Sequence, residues 1–286
     1  MEILSTKTFA KSLNELTFTD YYYRLMLLAR SVYKWENLPN GMDEKWIERF
    51  LFREGKCMFF HDKEKGLMIS QCAESNEMNL YEEPTQLTPF GIGYSGKPME
   101  VGKECILIRN NDDMVPTSFT LKLFAYRLAE ISRAIDLNIN AQKTPTLLTG
   151  SEKQRLTLKN VYKQWDGNEP VIFGDKSLEG SELLKVLKTD APVVFPQLQV
   201  QKQSVWNECL TFLGINNANT EKKERLITDE AQANNVHIDL SAECFLKARQ
   251  KACDDINSLF GTDIRVSRRE VGELECMENT PHILEH

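Results

Sequence analysis

Between residues 12 and 35, Leu13, Leu16, Tyr23, Leu27, Ala29, Val32 and Tyr33 recur mostly at helical spacing, and Asn37-Leu38-Pro39-Asn40-Gly41 then supplies the turn chemistry that stops a helix. Residues 43 to 53 predict a second, short helix. From Lys56 to about Pro116 the period changes. Short apolar runs, Cys57-Met58-Phe59-Phe60, Leu67-Met68-Ile69 and Cys105-Ile106-Leu107-Ile108, are separated by Gly, Pro, Asn and Asp, which predicts a small antiparallel β module.

Pro116-Thr117-Ser118 offers a helix cap, and Leu121, Phe124, Leu128, Ile131 and Ile135 follow at alternating spacings of three and four, with Lys122, Arg127, Glu130, Arg133 and Asp136 between them. A helix over 118–141 would be about 36 Å long, more than a compact module of this size needs. Residues 144 to 190 change register again. They predict a strand at Thr146-Leu147-Leu148, a helix from Leu156 to Trp165, a strand at Val171-Ile172-Phe173 and a helix from Ser181 to Leu187, a small α/β insertion. Pro196 can open another long helix, about 27 Å, that Gly214 ends. Residues 215 to 242 offer few apolar anchors and read as a mobile loop. A last helix over 243–260 turns Phe245, Leu246, Ala252, Ile256 and Leu259 inward and stops at Gly261.

The 286 residues, at about 150 per domain, allow roughly two domains or one elongated domain with an insertion. Lys and Arg number 35 against 42 Asp and Glu, a net charge of −7, which argues against the broad basic footprint of most nucleic-acid-binding domains. Any DNA contact must therefore be local. Seven Cys (57, 72, 105, 209, 244, 253 and 276) show no CxxC spacing, so reduced thiols fit better than disulfides or structural zinc. No secretory leader pattern opens the chain and no stretch approaches the ~18 apolar residues of a membrane span. Leu284-Glu285-His286 reads as the remnant of a vector-derived tag.

Gly91-Ile92-Gly93-Tyr94-Ser95-Gly96-Lys97 approaches both phosphate-binding glycine patterns, but Pro98 stands where a P-loop needs a hydroxyl and a starting helix, so a glycine-rich turn is expected. His61, His237 and His282 sit in no metal or triad spacing, and no catalytic residue, metal site or cofactor is expected. Adjacent acids such as Asp112-Asp113, Asp229-Glu230 and Asp254-Asp255 point apart on regular elements and read as solvated. Tyr21-Tyr22-Tyr23 and Trp35 lack interleaved basic residues, which favours core or subunit contacts over base stacking.

The stretches Trp35-Glu36-Asn37-Leu38-Pro39, Asn140-Ala141-Gln142-Lys143-Thr144-Pro145, Lys188-Thr189-Asp190-Ala191-Pro192, Val205-Trp206-Asn207-Glu208, Thr211-Phe212-Leu213-Gly214-Ile215, Glu221-Lys222-Lys223-Glu224-Arg225 and Phe245-Leu246-Lys247 stand in one order. In that order they resemble the upper collar, or head-tail connector, proteins of short-tailed phages of the phi-twenty-nine type. The resemblance covers roughly residues 33 to 266.

It implies an α+β portal fold and a homo-dodecameric ring at one capsid vertex, through which double-stranded DNA is packaged and ejected and to which the tail attaches. The expected division is N-terminal helices at 1–55, a β-rich wing at 56–117, a stem helix at 118–143, a clip at 144–190, a second stem helix at 191–216, a channel loop at 217–242, a wing helix and C-terminal segment at 243–272 and a tail at 273–286. Implied partners are transient double-stranded DNA, further copies of the chain, capsid, scaffold, lower collar or tail proteins and a packaging ATPase, with no membrane. The protein would assemble in the host cytoplasm, reside in the virion and have no enzymatic activity.

Repetition multiplies every channel-facing charge, so mostly acidic walls would repel phosphate while a few basic rings hold the duplex centred. The segment 143–188 is locally basic, with eight Lys and Arg against six Asp and Glu. Of the family's two channel lysines the first matches Lys188, and the second position holds Gln197. Glu221, Lys222, Lys223, Glu224 and Arg225 would line the channel as a loop that limits backward slippage. Met1 to Arg24 carries three basic and three acidic residues, unlike the basic arm that a well-studied relative uses in packaging RNA and DNA contacts. The alternatives are another ring-forming head-tail adaptor of the lower collar type and a nucleotide-driven translocase using Gly91 to Lys97.

Overall fold

Helix α1 (Thr6–Ser31) opens the computed structural model, which describes residues 6–142, 146–149, 171–174, 184–186, 192–216 and 228–269. After α1 come β1 (Tyr33–Glu36), α2 (Glu44–Glu54), β2 (Lys56–Asp62), β3 (Gly66–Glu74) and β4 (Gln86–Gly91). Strands β5 (Tyr94–Ser95), β6 (Met99–Glu100) and β7 (Cys105–Arg109) precede the long helix α3 (Thr117–Gln142). Three short strands follow, β8 (Thr146–Thr149), β9 (Val171–Gly174) and β10 (Leu184–Val186). Helices α4 (Phe195–Phe212) and α5 (Thr228–Phe260) and strand β11 (Arg265–Arg268) complete the described chain. The chain divides into two compact units: Phe18–Tyr126 with Trp206–His286, and Met1–Thr17 with Arg127–Val205.

The first unit is built on an antiparallel six-stranded sheet of order β5-β4-β3-β2-β7, with β6 beside β4. Its central strands read as unbroken apolar runs because both faces of the sheet are covered. Alternation divides each run between two cores. Cys57 and Phe59 of β2 join Ile106 and Ile108 of β7 in one cluster with Ile47 and Leu51 of α2 and Ala252 and Ile256 of α5. Met58 and Phe60 join Cys105 and Leu107 on the opposite face with Leu87. Each fully buried Phe contributes about 1.5–3 kcal/mol relative to an exposed one.

Helix α2 starts where Asp43, with extended backbone, accepts a hydrogen bond from the Lys45 amide, and it ends at Gly55, whose φ of 76° is left-handed. A Cβ on Gly55 would lie 1.8 Å from the Met114 carbonyl oxygen, so only glycine fits. Gly214 ends α4 in the same conformation, its amide donating to Thr211 O while the Ile215 amide donates to Leu210 O. That bond pair is a Schellman motif, and it seats Gly214 against Ala242 of α5. The glycine-rich stretch 91–96 is the turn of the β4–β5 hairpin and is followed by strand β6 rather than a helix.

The second unit holds a mixed sheet in which β8 pairs parallel with β9 and antiparallel with β10. Three sequence expectations change here. The helix expected through residue 35 stops at Ser31, and Tyr33–Glu36 pairs antiparallel with Arg265–Arg268, a partner far along the chain that no local pattern reveals. Leu184–Val186, expected helical, is a strand: Leu-Lys-Val alternates with period two, and its pairing with β8 prevails. Residues 228–242, expected as part of a loop, belong to α5. Thr228-Asp229-Glu230 are residue types that favour a helix start, and Ile238 and Ala242 supply buried anchors one turn apart. The helix expected at 156–165 lies outside the described residues.

Candidate oligomerisation and channel surfaces

In the unit containing the β-rich sheet, a buried polar cluster fixes where the long helix α3 begins. Arg249 of α5 and Glu48 of α2 are each 2% exposed and pair through two hydrogen bonds, Nε to Oε1 at 2.9 Å and Nη2 to Oε2 at 2.8 Å. The remaining Arg249 donors reach Asn110 O, Phe245 O and Asn110 Oδ1, so all five N–H groups are used. The guanidinium lies 4.3 Å from the centroid of the Tyr33 ring, and the Trp35 indole donates to Glu48 Oε1. Burial, which works against the charged guanidinium, is outweighed by Glu48, and the Arg249 pKa is raised. Burial drives the Tyr33 phenol upward in turn. Asn110 then donates to Thr117 Oγ1 and Val115 O at the first turn of α3, so the ion pair positions that helix start.

From that start α3 buries Leu121 and Phe124, as its main periodicity predicts. A second apolar row at spacings of four and three, Phe119, Leu123 and Tyr126, is 54–66% exposed. Tyr23 and Leu27 of α1 and Val236 and Leu240 of α5 are likewise open in this unit. An exposed apolar row along one face of α3, rather than scattered single residues, is the signature of an interaction face.

In the other unit, Asn138 of α3 holds the start of α4. Its Oδ1 accepts from the Val194 and Phe195 amides at 3.1 Å and its Nδ2 donates to Pro192 O at 2.9 Å. Arg133 joins Asp136 and Asn14. Leu16, Leu137, Val193 and Val200 remain exposed in this unit.

Lys188 and the five residues Glu221, Lys222, Lys223, Glu224 and Arg225, expected to face a channel, lie outside the described residues. Trp35 is a core residue and Tyr22 packs on Phe18 and Phe52, while Tyr23 is half exposed. Burial pushes the thiols of Cys72, Cys105, Cys209 and Cys253 up to about 12 and that of Cys57 well above its usual value, which keeps them protonated packing groups. No group of three or more His, Cys, Asp or Glu among the described residues could hold a metal ion. No described helix is long and apolar enough to cross a membrane. The Arg249–Glu48 pair and the second apolar row of α3 were missed in the sequence. Phe119, Leu123 and Tyr126 were legible as a second row, whereas the pair joins residues 201 positions apart.

Among solved structures, the chain is similar to the portal of native bacteriophage P68, from a portal and tail assembly, with a TM-score of 0.51 and 13% identity over 98% of this chain and 96% of that one. That likeness shows a portal-type α+β fold. It is also similar to an HK97-family phage portal protein from Corynebacterium diphtheriae, with a TM-score of 0.47 and 10% identity over 91% of this chain and 94% of that one. The family model described as Phage Connector (GP10) matches residues 5–271, nearly the whole sequence, and the chain therefore belongs to the phage connector family.

Proposed function

We propose that this connector is the portal of its phage: a homo-dodecameric ring at one capsid vertex that conducts double-stranded DNA during packaging and ejection and carries the tail. One observation supports the ring most directly. The long helices keep apolar rows, Phe119, Leu123 and Tyr126 on α3 above all, exposed in a single copy. A ring whose copies meet head to tail covers such a row against a different patch of the next copy and closes without leaving free faces.

In this reading α3 and α4 form the stem, the β-rich sheet the wing and residues 144–190 the clip. Lys188 would repeat as a basic ring facing DNA, and residues 221–225, with charges of both signs, would contact phosphate transiently and restrain slippage. The low net affinity expected of a −7 chain suits a tunnel that must not grip its cargo. The ring would be assembled in the host cytoplasm and meet capsid, scaffold, tail proteins and a packaging ATPase. The role is structural rather than enzymatic. The β4–β5 hairpin at Gly91–Lys97 lacks the following helix that a phosphate-binding loop requires, which disfavours a translocase.

Native mass spectrometry and electron microscopy of the purified chain test the ring. Closed twelve-membered rings are expected, and eleven or thirteen copies would change only the stoichiometry. Leu123→Glu should shift the population to folded monomers. A wild type that stays monomeric or dimeric at micromolar concentration overturns the reading.

A further inference from the structure

Helix α2 carries a cationic face that neither the core nor the ring reading uses. Lys45, Arg49 and Arg53 recur one turn apart, about 6 Å per step, so three positive charges lie along one side of the helix. Arg30, from the end of α1, joins them through a hydrogen bond from Nη2 to Lys45 O at 3.0 Å. Trp46, 42% exposed, lies in the same row, with Lys45 Nζ and Arg49 Cζ each 5.5 Å from its ring centroid.

The helix's carboxylates are committed elsewhere. Glu44 binds Arg269 and the Trp35 amide, Glu48 is buried against Arg249, and Glu54 accepts from Gln71. Asp43, the cap, engages Lys45 alone. Neither Arg49 nor Arg53 meets a carboxylate at ion-pair distance among the described residues. Arg30 Nε is buried with no hydrogen-bond partner. Burial, and then the charge of Arg49, lower the Arg30 pKa against the opposing pull of Glu48. Arg49 and Arg53, which meet no carboxylate among the described residues, therefore keep outward donors for an oxyanion, whereas the buried Arg30 Nε does not serve as one.

We propose that this face of α2 docks the phosphate backbone of double-stranded DNA. The proposal rests on the reading of the chain as a DNA-conducting ring and adds a contact point to it. Two guanidiniums one turn apart, Arg49 and Arg53, fit a polymer with evenly spaced, singly charged phosphates and can form bidentate bonds to them without reading bases. Its affinity is electrostatic and local, consistent with a chain whose overall charge is −7. Trp46 offers its exposed edge to the sugar-phosphate surface.

The test titrates a 30-base-pair duplex against the full-length assembly by fluorescence anisotropy between about 50 and 200 mM salt. Each phosphate contact contributes about 0.9 to the slope of log affinity against log salt. Arg49→Gln combined with Arg53→Gln should flatten that slope by about 2, with helicity and ring size unchanged. An unaltered slope overturns the proposal. So does a double variant that binds duplex normally but no longer forms rings, which would make this face a contact between copies. A poly-glutamate that binds the wild type and not the double variant, while duplex binds both alike, would assign the face to an acidic protein and equally overturn it. Failure of the wild type to form rings counts against the portal reading alone, because the slope comparison can be made on any assembly.

Discussion

Replacing Arg249 by Met should be among the most damaging single changes in the unit that holds the six-stranded sheet. The substitution keeps volume and helix propensity but strips five hydrogen bonds from a site where Arg249 and Glu48 are each 2% exposed. Glu48 would stay buried with only the Trp35 indole as partner. Breaking one side of a buried pair costs about 3–5 kcal/mol, because the remaining charge is left uncompensated. For a chain of 286 residues that corresponds to roughly 5–8 °C in midpoint temperature at fixed protein concentration. Glu48→Leu should cost a similar amount. Combining the two removes both charges and leaves mainly the Trp35 donor and the Asn110 acceptors unpaired, about 1–3 kcal/mol for each stranded group. The double variant should therefore be markedly more stable than the sum of the single losses implies. Urea denaturation of all four proteins measures this coupling. Hydrogen exchange should meanwhile rise at the first turn of α3, which Asn110 holds through Thr117. Single costs that add in the double variant to within about 0.5 kcal/mol would falsify the ion-pair account, and unchanged exchange at Thr117–Leu121 would remove its link to α3.

Three further outcomes are expected. Gly55→Ala should destabilise by several kcal/mol, since it adds a clash with Met114 O to left-handed strain, whereas Gly41→Ala, at φ 85° with nothing within 4 Å, should cost only the strain of about 1–2 kcal/mol; equal thermal shifts would refute the role of the close approach. A thiol reagent at neutral pH should label Cys244 rapidly and spare Cys57, Cys72, Cys105, Cys209 and Cys253 until unfolding, a difference that mass mapping of labelled peptides reads directly. The hydrogen bond from Arg109, followed by that from Asn79, holds the Glu83 carboxyl below its usual pKa, so its contribution is present above the ordinary carboxylate range near about 4.3 and is lost as pH falls through the lower folded value. Amides of the 77–85 loop, corrected for intrinsic rates, should lose protection in that acidic window, and Glu83→Gln should abolish the pH dependence.

What the sequence disclosed follows the range of the interactions concerned. Cys57–Phe60 and Cys105–Ile108 announce buried strands because each residue reports its own burial, and Gly214 announces a helix end because the left-handed position is local. Tyr33–Glu36 looks helical on its own, and its strand state comes from Arg265–Arg268. Leu184–Val186 is similarly decided by β8. The start of α5 was hidden because Ile238 and Ala242 are its buried anchors before residue 248 among the residues whose side chains are described, too sparse a pattern to stand out. Of the candidate surface, the apolar row on α3 was available from spacing alone. The cationic face of α2 was not, since whether Arg49 and Arg53 are neutralised depends on where Glu44, Glu48 and Glu54 turn. Lys188 and residues 221–225 came from family resemblance and have no periodicity that could have singled them out.

The pairing of β1 with β11 sets a timetable for biosynthesis. Asn37 bonds to Asp263 across 226 positions, and Ile264 and Val266 belong to the same core as Val32 and Trp35. At translation rates of about 5–20 residues per second, the N-terminal edge of that core waits on the order of tens of seconds for its partner strand. During that interval the unit that holds the six-stranded sheet cannot close, although the helices inserted between its halves have already emerged. The fold of this unit is completed only after residue 268 leaves the ribosome. A chain cut before Asp263 would lose this closure and expose Trp35, a defect that reaches the whole sheet-bearing unit from a handful of residues.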